Sequence, residues 1–190
     1  RLGIIYKEGK KAPRDITKSI YYLDLASKQN NIKAQISLGN IYYLNEYIPK
    51  DIEKAIYYYN LAANLNHTRT QLNLATIYFS GDDVPQNINK AIHYYTLAAN
   101  QNDPDAQLSL GFLYYSDIYV PRDINKAIHY LSLASDSNIC EAQFILGTIF
   151  FQSNLVPLDI NKAIHYFTLA SNQNNSASQY FLGTIYFDDK

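Results

Sequence analysis

The chain has 190 residues, 47% of them hydrophobic and 17% charged, which supplies a packed core and excludes a disordered segment. Sixteen Lys and Arg against 17 Asp and Glu leave a formal charge of −1, which argues against nucleic acid, because phosphate binding needs clustered, unpaired positive charge. Cys140 is the only cysteine, so an intrachain disulfide is excluded, and no apolar run approaches the roughly 18 residues of a membrane helix, so direct membrane insertion is not expected.

Residues 1–20 carry no signal-peptide pattern. With no Met anywhere and Arg at position 1, the natural N-terminus is expected to lie elsewhere. These features leave the compartment unknown, with a lean towards the cytoplasm from the lone cysteine and the absence of a signal or transmembrane segment in these residues. The abundance of Asn, Ile, Tyr and Lys matches AT-rich codons and needs no functional selection.

In chain order, the first phrase is Leu2-Gly3-Ile4-Ile5-Tyr6, which returns as Leu38-Gly39-Asn40-Ile41-Tyr42. Prolines follow at Pro13, Pro49, Pro85, Pro121 and Pro157, each 36 residues after the last, and five of the six prolines fall on this lattice. After each proline comes a similar phrase, Asp51-Ile52-Glu53-Lys54-Ala55-Ile56 in one unit and Asp123-Ile124-Asn125-Lys126-Ala127-Ile128 in another. Such self-similarity is the signature of a stacked array.

Each unit carries two helical patterns. Helix A is predicted from about Ala34 to Leu44, with Ala34, Leu38, Ile41 and Tyr42 on a 3.6-residue period. Helix B is predicted to begin after Pro49, with Asp51 (Asn87 in the next unit) as N-cap and Ile52, Ala55, Ile56, Tyr59 and Ala62 as its buried stripe. It is predicted to stop near Asn66, Asn102, Asn138 and Asn174, since Asn tolerates the left-handed conformation that ends many helices. The reading is one array over residues 1–190: a partial unit 1–30, units 31–66, 67–102, 103–138 and 139–174, and a partial unit 175–190. Neither end shows a polar capping repeat, so the expectation is an internal fragment of a longer array.

Five of the seven glycines (Gly3, Gly39, Gly111, Gly147, Gly183) hold one helix-A position, and Ala75 fills it in the remaining unit. Glycine within a helix costs about 0.5–1 kcal/mol relative to alanine. Its recurrence predicts close approach by a neighbouring helix, with Ala55, Ala91, Ala127 and Ala163 as the matching small residues on helix B.

The phrases Ala34-Gln35-x-x-Leu38-Gly39-x-x-Tyr42, Lys54-Ala55 and Tyr58-Tyr59-x-x-Ala62-Ala63 resemble the Sel1-like repeat, a relative of the tetratricopeptide repeat. The resemblance covers essentially the whole chain. It implies an all-α fold, a right-handed α-solenoid of antiparallel helix pairs, and a scaffold or adaptor role. One departure is that the family's loop between the helices usually carries glycines, whereas only Gly9 and Gly81 remain here, with Tyr47, Tyr119 and Leu155 in the loops.

Several rows recur at one position per unit. His93, His129 and His165 (Tyr21 and Tyr57 earlier) would stand on helices about 8–10 Å apart, too far for nitrogens that must each lie about 2.0–2.1 Å from one metal ion. They read as a half-exposed polar rung. Lys18, Lys54, Lys90, Lys126 and Lys162 read as solvated partners of Asp15, Asp51, Asp123 and Asp159 at ion-pair spacing. Cys140 has no base in its own unit, and no phosphate loop or paired-carboxylate pocket is visible. No enzyme, no cofactor and no metal is therefore expected.

The remaining row is aromatic. Tyr43, Phe79, Tyr115 and Phe151 follow the core ring directly and so point about 100° further round helix A. By resemblance to tetratricopeptide arrays, that side is concave, and Ile36, Leu72, Leu108 and Phe144 join it, with Asn40, Thr76, Phe112 and Thr148 between. Such a face suits a protein or peptide segment, although the rings could equally serve only to pack successive helices A. The expected function is a non-enzymatic interaction scaffold that binds a partner through this face. The alternative is an architectural subunit built permanently into a larger assembly, cytoskeletal or membrane-associated, through loop contacts at Tyr47, Tyr119 and Leu155.

Overall fold

A computed structural model of the chain describes residues 15–44, 48–152 and 154–188. Tyr47 and the phrase from Leu2 to Pro13 lie outside these residues. Among the described residues the fold is all-α, ten helices and no strand. They fall into two compact units, the first closing at Leu97 and the second opening at Ala98.

The first unit holds α1 (Ile16–Ser27), α2 (Ile32–Leu44), α3 (Ile52–Asn64), α4 (Thr68–Ser80) and all but the last two residues of α5 (Ile88–Ala99). The second holds α6 (Pro104–Ser116), α7 (Ile124–Asp136), α8 (Cys140–Phe151), α9 (Ile160–Ser171) and α10 (Ser176–Asp188). Even-numbered helices are of type A and odd-numbered ones of type B.

The helix ends follow from single side chains. Asp15, Asp51, Asp123 and Asp159 each accept a hydrogen bond from the backbone N–H three residues on, at 2.9–3.1 Å, and Asn87 does the same at 3.0 Å. This satisfies one of the N–H groups a helix start leaves unpaired. At the other end of helix B, Asn30, Asn66, Asn102, Asn138 and Asn174 stand at φ 59–64°, the left-handed turn the sequence predicts. The next residue's N–H then returns to the helix, as His67 N does to Ala62 O at 3.2 Å and Ile139 N to Ala134 O at 3.1 Å.

The turn from A to B is fixed by one recurring backbone bond. Asp51 and Asn87 in the first unit, and Asp123 and Asp159 in the second, donate their N–H to Tyr42, Tyr78, Tyr114 and Phe150 oxygens at 2.8–3.0 Å. Gly81 (φ 75°) takes the left-handed position in one such loop, and Asp117 (φ 56°) takes it in another, so aspartate does there what glycine does elsewhere.

Packing within each A–B pair is close where the small residues stand. In the first unit a Cβ on Gly39 would lie 2.3 Å from the Tyr59 ring. In the second, Gly111 and Gly147 face Leu131 and Phe167 at 2.6 and 2.5 Å. Ala55, Ala75, Ala91, Ala127 and Ala163 are fully buried. The pairings 39–59 and 42–58 sum to nearly one value, which defines an antiparallel hairpin.

A buried glutamine on each of α2, α4, α6 and α8 reaches a backbone carbonyl at the end of the preceding helix B. Gln35 and Gln71 donate to the Ser27 and Ala63 carbonyls at 3.4 and 3.0 Å. Gln107 and Gln143 donate to Ala99 and Ser135 at 3.4 and 3.5 Å. These carbonyls belong to the last turn of helix B, and each also accepts the N–H of the turn asparagine three residues on, at 2.8–3.0 Å.

Candidate functional site

The helix-A face divides by chemistry. In the first unit α2 and α4 carry Ile36, Asn40 and Tyr43, and Leu72, Thr76 and Phe79. Ile36 is half-buried, Leu72 is buried, and Thr76 is exposed with its hydroxyl turned back to the Leu72 carbonyl at 3.0 Å. Asn40 accepts the Tyr59 hydroxyl at 2.8 Å, and burial pushes that hydroxyl up to about 12. Tyr43 and Phe79 meet Tyr59 and Tyr95 edge-on, with centroids 6.3 and 6.5 Å apart. Lys50 lies 4.4 Å above the Tyr43 ring and pairs with Asp83. Hydrogen bonds from Lys50 and the Tyr43 hydroxyl hold the Asp83 carboxyl below its usual range.

In the second unit α6 and α8 carry Leu108, Phe112 and Tyr115, and Phe144, Thr148 and Phe151. Phe112 is 39% exposed, whereas Leu108, Tyr115, Phe144, Thr148 and Phe151 are half-buried. Phe144, Phe151, Phe167 and Phe181 form a ring cluster with centroids 5.0–6.3 Å apart. Arg122 sits 6.0 Å from the Tyr115 ring and donates Nε to its carbonyl at 2.9 Å. The ring row therefore packs helix A on helix B, and it leaves part of its surface open in both units.

The loop residues differ among themselves. Tyr119 is 38% exposed beside Ile118 at 71%, a residue the sequence did not single out. Leu155 is half-buried against the core of α7 and α8, and Leu158 is exposed instead. Tyr47 falls outside the described residues.

The outer rows are structural in geometry. Tyr42, Tyr78, Tyr114 and Phe150 stack nearly parallel on Tyr58, Tyr94, Tyr130 and Tyr166 at 5.9–6.2 Å. Lys54, Lys90, Lys126 and Lys162 lie 4.7–5.2 Å above the first ring of each pair. Lys18, Lys54, Lys126 and Lys162 pair with the aspartates three residues before them at 2.9–3.3 Å. Exposed His93, His129 and His165 stand edge-on to the second rings at 5.0–5.1 Å. Among the described residues no group of three or more His, Cys, Asp or Glu could hold a metal ion, and no helix is long and apolar enough to cross a membrane.

Comparison with known proteins gives a consistent result. The family described as Sel1 repeat matches at residues 1–31, 32–67, 68–103, 104–139, 140–175 and 176–189. A protective antigen of uropathogenic Escherichia coli strains displaying an SLR fold superposes with TM-score 0.83 and 28% identity, over 100% of this chain and 40% of its own. A Sel1 repeat protein from Oxalobacter formigenes gives TM-score 0.68 and 32% identity, over 97% of this chain and 54% of its own. Cysteine rich protein B of Helicobacter pylori gives 0.51 and 28%, over 70% of this chain and 96% of its own. This chain thus spans about half or less of the first two structures. No curated protein gives a significant match.

Proposed function

This chain belongs to the Sel1 repeat family, and from that premise we propose that it is a non-enzymatic scaffold that binds a protein segment through the helix-A face. The observation that carries the reading is Phe112, a ring 39% exposed among half-buried rings on that face. An open ring flanked by half-buried apolar side chains suits a side-chain pocket of an extended peptide or the stripe of an amphipathic helix. Family members generally act by holding other proteins, which supports the class of function without naming a partner.

The direct test replaces Phe112 with Arg and measures which proteins the chain recovers. Phe112 is open enough that the change should leave the helical circular-dichroism spectrum intact, and partner recovery should fall at least tenfold. Undiminished recovery by a folded F112R chain would overturn the reading.

A second reading, an architectural subunit fixed in an assembly, draws on the open loop apolar residues Ile118 and Leu158, at 71% and 53% exposure. Gentle extraction and size fractionation separate the two. A freely exchanging chain counts against permanent assembly.

A further inference from the structure

The charges of the second unit are sorted by helix type. Its helices A, with the turns and the last one or two helix-B residues before them (residues 99–116, 135–152 and 171–188), contain no Lys or Arg. They do contain Asp103, Asp105, Asp136, Glu141 and Asp188. Asp105 and Glu141 are exposed, and neither makes an ion pair among the described residues. Each begins the line of the open face on its helix: Asp105, Leu108, Phe112 on α6, and Glu141, Phe144, Thr148 on α8, at spacings of 3 and 4 residues that share one side. Lys126 and Lys162 lie on helices B, paired with Asp123 and Asp159. Arg122 meets the face at its opposite end, over Tyr115.

Helix stability accounts for only part of this sorting. The helix dipole favours an acid in a first turn, which suits Asp105 and Glu141, but it equally favours a cation in a last turn, and α6 and α8 have none there. The repeat does not require acids there either, since the first unit has Lys33 and Arg69 at the same helix-A position and no acid in residues 32–44 or 68–80. We infer that the helix-A face of the second unit takes a segment in which Lys or Arg flanks Leu or Phe, the apolar side chains meeting Leu108, Phe112 and Phe144 and the cations meeting Asp105 and Glu141. The inference rests on the proposed scaffold function and adds the chemistry of the partner.

The test uses the whole chain and two 12-residue peptides of leucine, phenylalanine and lysine, or the same with glutamate for every lysine, with affinity read by fluorescence anisotropy. The lysine peptide should bind, more weakly as salt rises, because an exposed rim of charge is screened over about 8 Å at physiological ionic strength. D105K/E141K should weaken it about tenfold, while K33E/R69E should leave it within about twofold. Binding of the lysine peptide unchanged by D105K/E141K overturns the charge preference but leaves the apolar face as a docking surface. Failure of both peptides to bind overturns the inference together with that surface. Loss of binding in F112R with retention in K33E/R69E supports both.

Discussion

A Cβ added to Gly39 would sit 2.3 Å from a Tyr59 ring that is 2% exposed, so neither partner can yield without moving the hairpin. Gly147 against Phe167 at 2.5 Å is the same case in the second unit. Gly147→Ala should therefore destabilise by about 1–3 kcal/mol in denaturant unfolding, the usual range for overpacking. Gly183 occupies the same repeat position, yet a Cβ there meets nothing within 4 Å. Gly183→Ala should stabilise by about 0.5–1 kcal/mol, because only the helix preference of alanine remains. One position thus gives opposite signs according to what faces it. The buried glutamines offer a second residue-level test. Gln143 Oε1 accepts Gln173 Nε2 at 2.8 Å, whereas Gln107 Oε1 has no protein partner, its counterpart of Gln173 being the short Ser137. Ser137→Gln should restore the donor and add about 1 kcal/mol to the unfolding free energy.

The hairpins themselves were legible because their signals are local and recur. Proline spacing, Asp or Asn caps and the terminal asparagines each act within one turn of chain, and every one recovers its expected place in the described residues. The glutamine ladder was less legible, because a single glutamine beside alanine reads as surface polarity. Only its presence beside Ala34, Ala106 and Ala142 alike could have signalled a buried role. The Lys–ring–ring stacks were hidden for another reason, since they depend on the register between helices A and B. The same holds for the aromatic row, in which one ring both packs the hairpin and borders the open face. Leu155 departs from the exposed position expected of a loop residue because its loop folds back onto α7 and α8.

The caps also set a pH dependence at the level of the element. Backbone and lysine hydrogen bonds lower the carboxyl groups of Asp15, Asp51, Asp123 and Asp159. A depressed folded value means that their contribution is complete above the ordinary carboxylate range near 4 and is lost as pH falls through the folded values below it. The triple variant D51N/D123N/D159N keeps the cap, as Asn87 does naturally. Its melting temperature should change little at pH 7 and fall less steeply than that of the parent below pH 4. An unchanged acid limb would show that these carboxylates do not carry it.

For the molecule as a whole, the near-zero net charge conceals a difference between its parts. Lys33 and Arg69 mark helices A of the first unit, and Asp105 and Glu141 mark those of the second. The charges could be counted in the sequence, but their meaning needed the assignment of each residue to a helix type and the finding that none of these four makes an ion pair among the described residues. The fold was legible from periodicity, whereas the partner choice proposed above would rest on the few helix-A positions that vary between units. The most direct test is hydroxyl-radical footprinting of the chain with and without a recovered partner. The account predicts that oxidation of Phe112 and Tyr115 falls several-fold in the complex while the exposed helix-B residues Tyr21 and Tyr57 keep their rates. Protection of Tyr21 and Tyr57 with Phe112 unchanged would contradict it.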